Sequence, residues 1–219
     1  TAVRRLLAPC GVEEFVRDHW EARPLVIRRG APDYYADLIT LTQFEDLLDT
    51  RPDIATGIRI LREGREAPIE RLSKLCTTPS LERIYAHYRQ GATLSLTHLH
   101  KHWNPLADLC RDLGEVFSIG CQTNSYLTPR ASRGLTGHFD THDVLVLQVA
   151  GSKRWRIGGN PVPLPLPHQT SAGVRNPLYD QEFDLDAGDL LYLPRGYLHE
   201  AEALDGVSFH LTIGLLPLT

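Results

Sequence analysis

The sequence predicts an α+β protein, mainly β, in which an N-terminal helical region precedes a jelly-roll or barrel core. Helical periodicity dominates up to about residue 115, and beyond it seven or eight short apolar segments alternate with Gly, Pro and Asn. Segments so closely spaced favour antiparallel strands, because a parallel crossover needs about a dozen or more connecting residues. We therefore expect residues 1–115 to pack on a core formed by residues 116–219, within one domain overall.

The N-terminal region begins with alternating helix and strand signals. Residues 11–22 place their apolar side chains on one helical stripe, and Leu25–Ile27 has the composition of a short strand. Residues 42–48 predict a second amphipathic helix, with Thr42 and Glu45 as its capping box.

The second half of this region is less regular. Residues 51–90 are charged and mixed in pattern, and we expect irregular strand and loop there. Residues 93–98 alternate like a strand. A helix should begin at Asn104, ahead of Pro105, with apolar positions at Leu106, Leu109 and Leu113.

The core strands are predicted from short apolar segments between turn residues. They are 116–119, 124–128, 144–149, 154–157, 182–185, 190–193, 199–201 and 207–213. The proline-rich run 161–167 should be an extended loop. The last strand has an apolar face and a polar face (Ser208, His210 and Thr212), and the pattern leaves open which of them lines the site.

Composition excludes several classes of function. Hydrophobic residues make up 42% and charged residues 23% of the chain, as in ordinary globular proteins. The net charge of -4 gives no basic field for nucleic acid and better suits a basic peptide or protein partner. The cysteines form no paired motif, which favours a reducing compartment, the cytoplasm. Neither a membrane-spanning run nor a signal peptide is visible, so no membrane association is expected.

His138 and Asp140 are the first part of a predicted metal site. Side chains at i and i+2 of a strand point to the same side, so both can reach one ion while Phe139 turns away. His199, the expected third ligand, follows the turn–strand–turn segment 188–198, which is typical of the second cupin motif. Two imidazoles and one carboxylate form the facial triad of non-haem Fe(II), which leaves positions open for a co-substrate and O2.

Lys153 is the second chemical clue. In the alternating segment 153–157 it shares a face with Trp155 and Ile157, whereas both arginines point the other way. A lysine on an inward face needs a fixed anion, because an unpaired buried charge is costly. A dicarboxylate co-substrate beside the metal would supply that anion. The alternative is a lysine whose amine reaches solvent at a barrel mouth.

Other histidines are weaker candidates for metal binding. His142 continues the even spacing, but on an extended strand it would lie roughly 13 Å from His138 at ~3.3 Å per residue. We therefore expect it on the substrate side or at the surface. The cluster of His98, His100 and His102 is expected to be a polar strand end rather than a metal site.

Taken together, the predicted helix and strand at the start of the chain and the motifs around His138, Lys153 and His199 resemble the ribosomal-oxygenase branch of the JmjC (cupin-like) 2-oxoglutarate-dependent oxygenases. The similarity covers nearly the whole chain, from the opening helix and strand to the core motifs. The matching segments, in order, are 15–27, 124–129, 137–140, 147–156 and 194–199.

The resemblance implies a double-stranded β-helix that holds Fe(II) on the three residues of the predicted triad, which are also the catalytic residues. Lys153 matches the position that binds the distal carboxylate of 2-oxoglutarate, and Tyr126 and Asn124 match positions that hydrogen-bond this co-substrate. The implied reaction uses 2-oxoglutarate and O2 to hydroxylate a histidyl or arginyl side chain of a protein or peptide, usually a ribosomal protein. A homodimer is a further expectation.

The chain departs from this branch at His142, where an aromatic residue is more usual, and it stops at Thr219, before the dimerisation and winged-helix regions. It also opens on Thr1 and contains no methionine, so we expect a trimmed catalytic domain or a shorter relative with another substrate. The alternatives are a demethylase, a hydroxylase of a peptide natural product and a non-oxygenase cupin that binds a metal. The inward Lys153 argues against the last, because such cupins have no standing need for a dicarboxylate anchor.

Overall fold

Five helices and six strands precede residue 118, and only strands follow it, in the part of the chain that the computed structural model describes, which is residues 2–67, 71–73, 76–79, 81–169 and 178–216. The helices are α1 (Ala2–Leu7), α2 (Val12–Asp18), α3 (Leu41–Thr50), α4 (Leu81–Arg89) and α5 (Asn104–Phe117), with 3-10 turns at Pro52–Gly57 and Leu99–Lys101. The strands are β1 (Leu25–Ile27), β2 (Ile58–Arg62), β3 (Arg65–Ala67), β4 (Arg71–Ser73), β5 (Cys76–Pro79), β6 (Thr93–Leu96), β7 (Gly120–Thr128), β8 (Asp143–Ala150), β9 (Ser152–Gly158), β10 (Tyr179–Asp186), β11 (Leu190–Leu193), β12 (His199–Ala203) and β13 (Ser208–Leu216).

The strands form a large antiparallel sheet and a smaller one. The large sheet has the order β1-β11-β8-β13-β7-β6-β2-β3, the small sheet has the order β10-β9-β12, and β4 pairs with β5 alone. From β8 onward the chain passes repeatedly from one sheet to the other, which is the path of a double-stranded β-helix. The predicted fold class is therefore confirmed. The boundary at residue 115 stays a prediction.

The two faces of the large sheet have different roles. On one face, Phe209, Leu211 and Ile213 of β13 belong to a core that also contains Leu109 and Leu113 of α5. Full burial of such a side chain contributes about 1.5–3 kcal/mol. The opposite face of β13 turns its polar residues toward the small sheet, which answers the question that the alternating sequence left open.

The predicted strand at 116–119 is wrong. Helix α5 continues through Phe117 and ends at Ser118, which has a positive φ of 54°. The Phe117 ring stacks on Trp20 with 4.9 Å between centroids and also packs edge-on against Phe15. Packing of α5 on the N-terminal helix therefore decides where the helix stops.

The capping box of α3 also differs from the prediction at Thr42 and Glu45. It is formed by Thr40 and Gln43, because the Thr40 hydroxyl accepts a hydrogen bond from the Gln43 amide at 3.2 Å. The Gln43 side chain in turn accepts from the Thr40 N–H at 2.9 Å. Both pairs satisfy the same sequence rule, and the helix begins at the earlier one.

The region 51–90 is more regular than predicted. It contains helix α4, in which Leu81, Ile84, Tyr85 and Tyr88 have helical spacing and pack on the main core. The charged residues between them obscured this periodicity.

In the part of the chain described here, no helix is both long and apolar enough to cross a membrane.

Candidate metal centre

A cavity of about 410 Å³ opens between the polar face of the large sheet and the small sheet. The small sheet contributes Trp155 and Ala201 to its wall, and the large sheet contributes Val144 and Val146. All the residues predicted for the site line this one cavity: His138, Asp140, His199, Lys153, Tyr126 and Asn124. The sequence positions that carry them are up to 75 residues apart, and the fold places them around one space.

The triad residues are brought together by backbone hydrogen bonds. His138 and His199 form an isolated antiparallel bridge, with the His138 N–H donating to the His199 carbonyl at 3.1 Å and the reverse bond at 2.8 Å. The Asp140 carbonyl accepts from the Gly196 N–H at 2.9 Å. His138 and Asp140 lie in the segment just before β8, and not inside a regular strand as the sequence had predicted. Phe139, which separates them in the sequence, is buried. Potential ligand atoms of the triad all lie within 4.8 Å of one another.

Both imidazoles are oriented by carbonyl groups. The Nδ1 of His138 lies 2.8 Å from the Thr136 carbonyl, and the Nδ1 of His199 lies 3.0 Å from the Tyr197 carbonyl. A carbonyl can only accept, so Nδ1 carries the proton and Nε2 is left as the ligand atom. The His199 Nε2 lies 3.6 Å from an Asp140 oxygen. This donor set fits a divalent transition metal.

The charge states of the triad suit metal binding. Burial lowers the pKa of His199 to about 4, so its ring is neutral, as a ligand must be. Burial by itself raises the pKa of Asp140, but the facing His199 and His138 outweigh it and hold that pKa below its usual value. The site therefore offers a carboxylate, Asp140, and a neutral imidazole, His199, at neutral pH.

Lys153 points into the cavity. It is 4% exposed, and Trp155 and Ile157 on the same face of β9 are buried with it. Its Nζ donates to the Thr128 hydroxyl at 3.0 Å and lies 3.4 Å from Nδ1 of His210. Burial lowers the pKa of Lys153 to about 7. Among the described residues, no carboxylate pairs with it, whereas Arg154 and Arg156 on the outer face of β9 pair with Asp184 and Glu182.

Tyr126 and His210 form the wall beside Lys153. They are opposite each other in the β7–β13 pairing, and their rings stack with 4.9 Å between centroids and 4° between planes. Burial raises the pKa of Tyr126 and lowers that of His210, so both stay neutral. Sequence reasoning did not assign His210 or Thr128 to the site, because only the pairing of distant strands brings them to the lysine.

The remaining polar residues line the same cavity or lie next to its lining. The Asn124 side-chain oxygen accepts from the His98 backbone N–H at 3.0 Å, and His98 itself also lines the cavity. His142 lines it too, and its ring lies so close to β13 that a Cβ on Gly214 would come within 2.7 Å of it. His100 accepts a backbone hydrogen bond from Thr123. In the described chain, the triad is the one group of three potential ligands close enough to share an ion.

Comparison with known proteins identifies the family. The model described as the JmjC domain matches residues 98–219, a segment that includes more than half of the chain, the triad and Lys153. The chain belongs to the JmjC domain family. The match also includes α5 and β7, so the family region of this JmjC domain starts before the segments that carry the three candidate ligands.

Curated relatives of this JmjC domain are similar over almost its whole length. Ribosomal oxygenase 1 of Gallus gallus is 33% identical over 222 residues, covering 96% of this chain and 36% of that protein. Ribosomal oxygenase 2 of Rattus norvegicus is 31% identical over 215 residues, covering 95% and 46%. The bifunctional lysine-specific demethylase and histidyl-hydroxylase NO66 of Drosophila erecta is 30% identical over 220 residues, covering 96% and 33%. The chain thus spans less than half the length of each of these relatives.

Solved structures show the same fold. The crystal structure of Escherichia coli ribosomal oxygenase YcfD superposes with a TM-score of 0.66 at 21% identity, covering 95% of this chain and 52% of that one. A structure of YcfD in complex with cobalt and 2-oxoglutarate gives a TM-score of 0.65 at 21% identity, covering 94% and 52%. At this level of identity the likeness establishes the architecture of the JmjC domain.

Proposed function

We propose that this JmjC domain is an Fe(II)- and 2-oxoglutarate-dependent oxygenase that hydroxylates a side chain of a protein or peptide. One observation carries the proposal: a His-Asp-His group shares a cavity with a buried lysine that has no anionic partner among the described residues. A metal site alone would suit many proteins. A buried ammonium beside it calls for an anionic ligand in the same space.

His138, Asp140 and His199 are the residues that would hold the iron. When bound, iron supplies the O2 chemistry by which 2-oxoglutarate is converted to succinate and CO2 while a substrate C–H bond is hydroxylated. The protein's part is to keep the ligands in place before any substrate arrives. The carbonyl groups of Thr136 and Tyr197 do this by fixing both rings.

Lys153 would bind the distal carboxylate of 2-oxoglutarate. Thr128 and His210 hold the amine from the side, and neither of them brings a negative charge that would compete with the co-substrate. Tyr126 and Asn124 line the same cavity and offer hydroxyl and amide groups for further hydrogen bonds. A charge-assisted hydrogen bond is stronger than a neutral one and would therefore orient a small dicarboxylate.

The direct test is turnover of 2-oxoglutarate by the purified chain with Fe(II) under air. We expect succinate to form, and we expect no succinate when Zn(II) replaces the iron. A protein that binds metal but neither binds nor consumes 2-oxoglutarate would instead support the non-oxygenase cupin.

The affinity for 2-oxoglutarate should fall as pH rises above about 7. The pKa of Lys153 is lowered to about 7 by burial, and a bound carboxylate would raise it again. Below the free-state pKa the amine is already charged, so the affinity should be flat. Above it, binding must take up about one proton, and the affinity should fall by up to about tenfold per pH unit.

Calorimetric titration in two buffers of different ionisation enthalpy measures this proton uptake. His210 and Tyr126 should not contribute, because burial lowers the pKa of His210 and raises that of Tyr126. Binding without proton uptake above neutral pH would mean that Lys153 does not hold the carboxylate.

The lining of the cavity favours a substrate side chain without a positive charge, and we therefore propose histidyl rather than arginyl hydroxylation. Among the described lining residues, Asp140 is the single carboxylate, and it is reserved for the metal. The other polar groups of the lining are mostly amides, hydroxyls and imidazoles, including Gln122, Thr97 and His142. Apart from Lys153, the one cationic side chain among the described lining residues is Arg59, which pairs with Glu66 at 2.8 Å. The sequence of 170–177, outside the described residues, contains no acidic residue either.

Peptide libraries should therefore yield hydroxylated histidine in preference to hydroxylated arginine or demethylated lysine. A guanidinium or ammonium entering this cavity would lose water without gaining an anionic partner, which predicts a kcat/KM at least about 10-fold lower. Mass spectrometry of peptides that differ only in the target residue measures the preference. Faster reaction of the arginine peptide would contradict the charge argument while leaving the oxygenase proposal intact.

A ribosomal protein is the proposed source of the target residue, supported by the names of the relatives, which include ribosomal oxygenases and a histidyl-hydroxylase. A cytoplasmic location, a homodimer and the absence of direct nucleic-acid binding also remain proposals. Cys10, Cys110 and Cys121 are free, which suits a reducing compartment. Incubation with ribosomal extracts, followed by mass spectrometry of the ribosomal proteins, tests the substrate.

A further inference from the structure

The turn Pro194–Tyr197 delivers His199 to the metal centre, and its geometry is fixed on several sides. Gly196 has a φ of 90°, and a Cβ there would lie 2.2 Å from the Val162 carbonyl oxygen, so only glycine fits. The Gly196 N–H donates to the Asp140 carbonyl, and the Tyr197 hydroxyl donates to the Ala22 carbonyl at 2.9 Å. Any movement of this turn would change the separation of Asp140 and His199.

Asp143, three residues after Asp140, attaches its carboxylate to this turn. It is 1% exposed at the start of β8, and its Oδ1 accepts the Arg195 backbone N–H at 2.8 Å. It also interacts with the Tyr192 hydroxyl, which accepts the Glu21 N–H at 2.9 Å. A buried carboxylate is costly to maintain, so its hydrogen bonds must be satisfied by groups that stay in place.

The side chain of Arg195 extends this connection to the N-terminal region. Its guanidinium is 11% exposed and pairs with the Glu21 carboxylate at 2.7 Å. Glu21 lies in the turn between α2 and β1, next to Ala22, which accepts the Tyr197 hydroxyl. The segment Glu21–Ala22 thus contacts the His199 turn at two points.

We infer that Asp143 is a positioning residue for the metal centre, and that Glu21 supports it through Arg195. The carboxylate of Asp143 fixes the Pro194–Tyr197 turn against the segment that carries Asp140, and thereby sets the distance between Asp140 and His199. Asp143 belongs neither to the His-Asp-His group nor to the residues that line the cavity. The inference rests on the proposed function, because it requires that a metal binds at the triad.

Binding of Co(II) to the full chain tests the inference without turnover. Removal of a group that holds a ligand in place typically weakens metal binding by roughly 10–100-fold, and we expect this for Asp143→Ala. The visible absorption bands of bound Co(II) should also change, because they report coordination geometry. Asp143→Asn keeps an oxygen that can accept the Arg195 N–H and should restore most of the affinity.

Asp189→Ala is the matched control. Asp189 is 3% exposed, and its carboxylate likewise accepts backbone N–H groups, from Arg29 at 2.9 Å and Asp186 at 3.1 Å, but at the opposite end of β11. Both alanine variants should lower Tm, whereas only Asp143→Ala should weaken Co(II) binding. Equal Co(II) affinity in the two variants would reduce Asp143 to a residue that stabilises the fold.

Glu21→Gln provides a second variant if Asp143→Ala does not fold, because Glu21 is 31% exposed and can be changed with little disturbance. We expect a smaller loss of Co(II) affinity, of about 3- to 10-fold. An unchanged affinity would remove Glu21 from the inference. If the unaltered protein fails to bind Co(II), the proposed function fails instead, so the two failures are distinguishable.

Discussion

Replacement of Asp140 by alanine should abolish 2-oxoglutarate turnover. Asp140 is the only carboxylate in the His-Asp-His group, so its loss removes the one negative charge that the protein offers to the metal. Loss of a residue that only hydrogen-bonds to a metal ligand lowers metal affinity by roughly 10–100-fold. Loss of the ligand itself should therefore lower it by more than about 100-fold. Succinate formation and Co(II) binding should both fall below detection at concentrations that saturate the unaltered protein.

Asp184→Ala is the control for this experiment. Asp184 pairs with Arg154 at 2.8 Å on the outer face of β9 and β10, and it does not line the cavity. Its replacement should leave both measurements unchanged. An Asp140→Ala protein that formed succinate at the unaltered rate would show that the triad is not where the chemistry occurs.

Lys153→Met should raise the 2-oxoglutarate concentration needed for half-maximal turnover by roughly 30- to 150-fold. This range corresponds to the loss of about 2–3 kcal/mol for a desolvated, charge-assisted hydrogen bond. Methionine has a similar length and fills the space of the lysine, so the cavity wall should persist. Metal affinity should change little, because Nζ contacts Thr128 and His210 and not the triad.

The control is Lys101→Met, which alters an exposed lysine in the 3-10 turn that precedes α5. It should have the same 2-oxoglutarate requirement as the unaltered protein. If Lys153→Met also retained that requirement, the buried amine would not be the co-substrate anchor, and the non-oxygenase cupin would become the better interpretation.

The sequence by itself predicts the candidate metal site, because the decisive patterns are local. The i, i+2 spacing of His138 and Asp140 and the turns that surround His199 predict a metal site. Strand parity alone placed Lys153 with Trp155 on a buried face, and the structure agrees. The resemblance to the JmjC oxygenases assigned these separate patterns to one site. The match of the JmjC domain over 98–219 shows that the chain belongs to that family.

Local patterns failed where two solutions satisfy the same rule or where packing overrides it. Thr40 and Thr42 both precede a suitable residue for a capping box, and the structure uses Thr40. The apolar segment 116–119 resembles a strand, yet Phe117 remains helical because its ring packs on Trp20. Helix α4 was missed because charged residues interrupt its apolar positions.

Only the tertiary structure decided which polar groups surround the ligands. Alternation along β13 defines two faces, but the packing of Phe209 under the helices determines that His210 faces Lys153. The hydrogen bond between Asp143 and Arg195 joins residues 52 positions apart, and no local pattern in the sequence marks it. The physical reason is the same in both cases. Spacing along a strand fixes the relative direction of side chains, whereas their neighbours depend on which distant strands pair, and that is set by burial of the whole core.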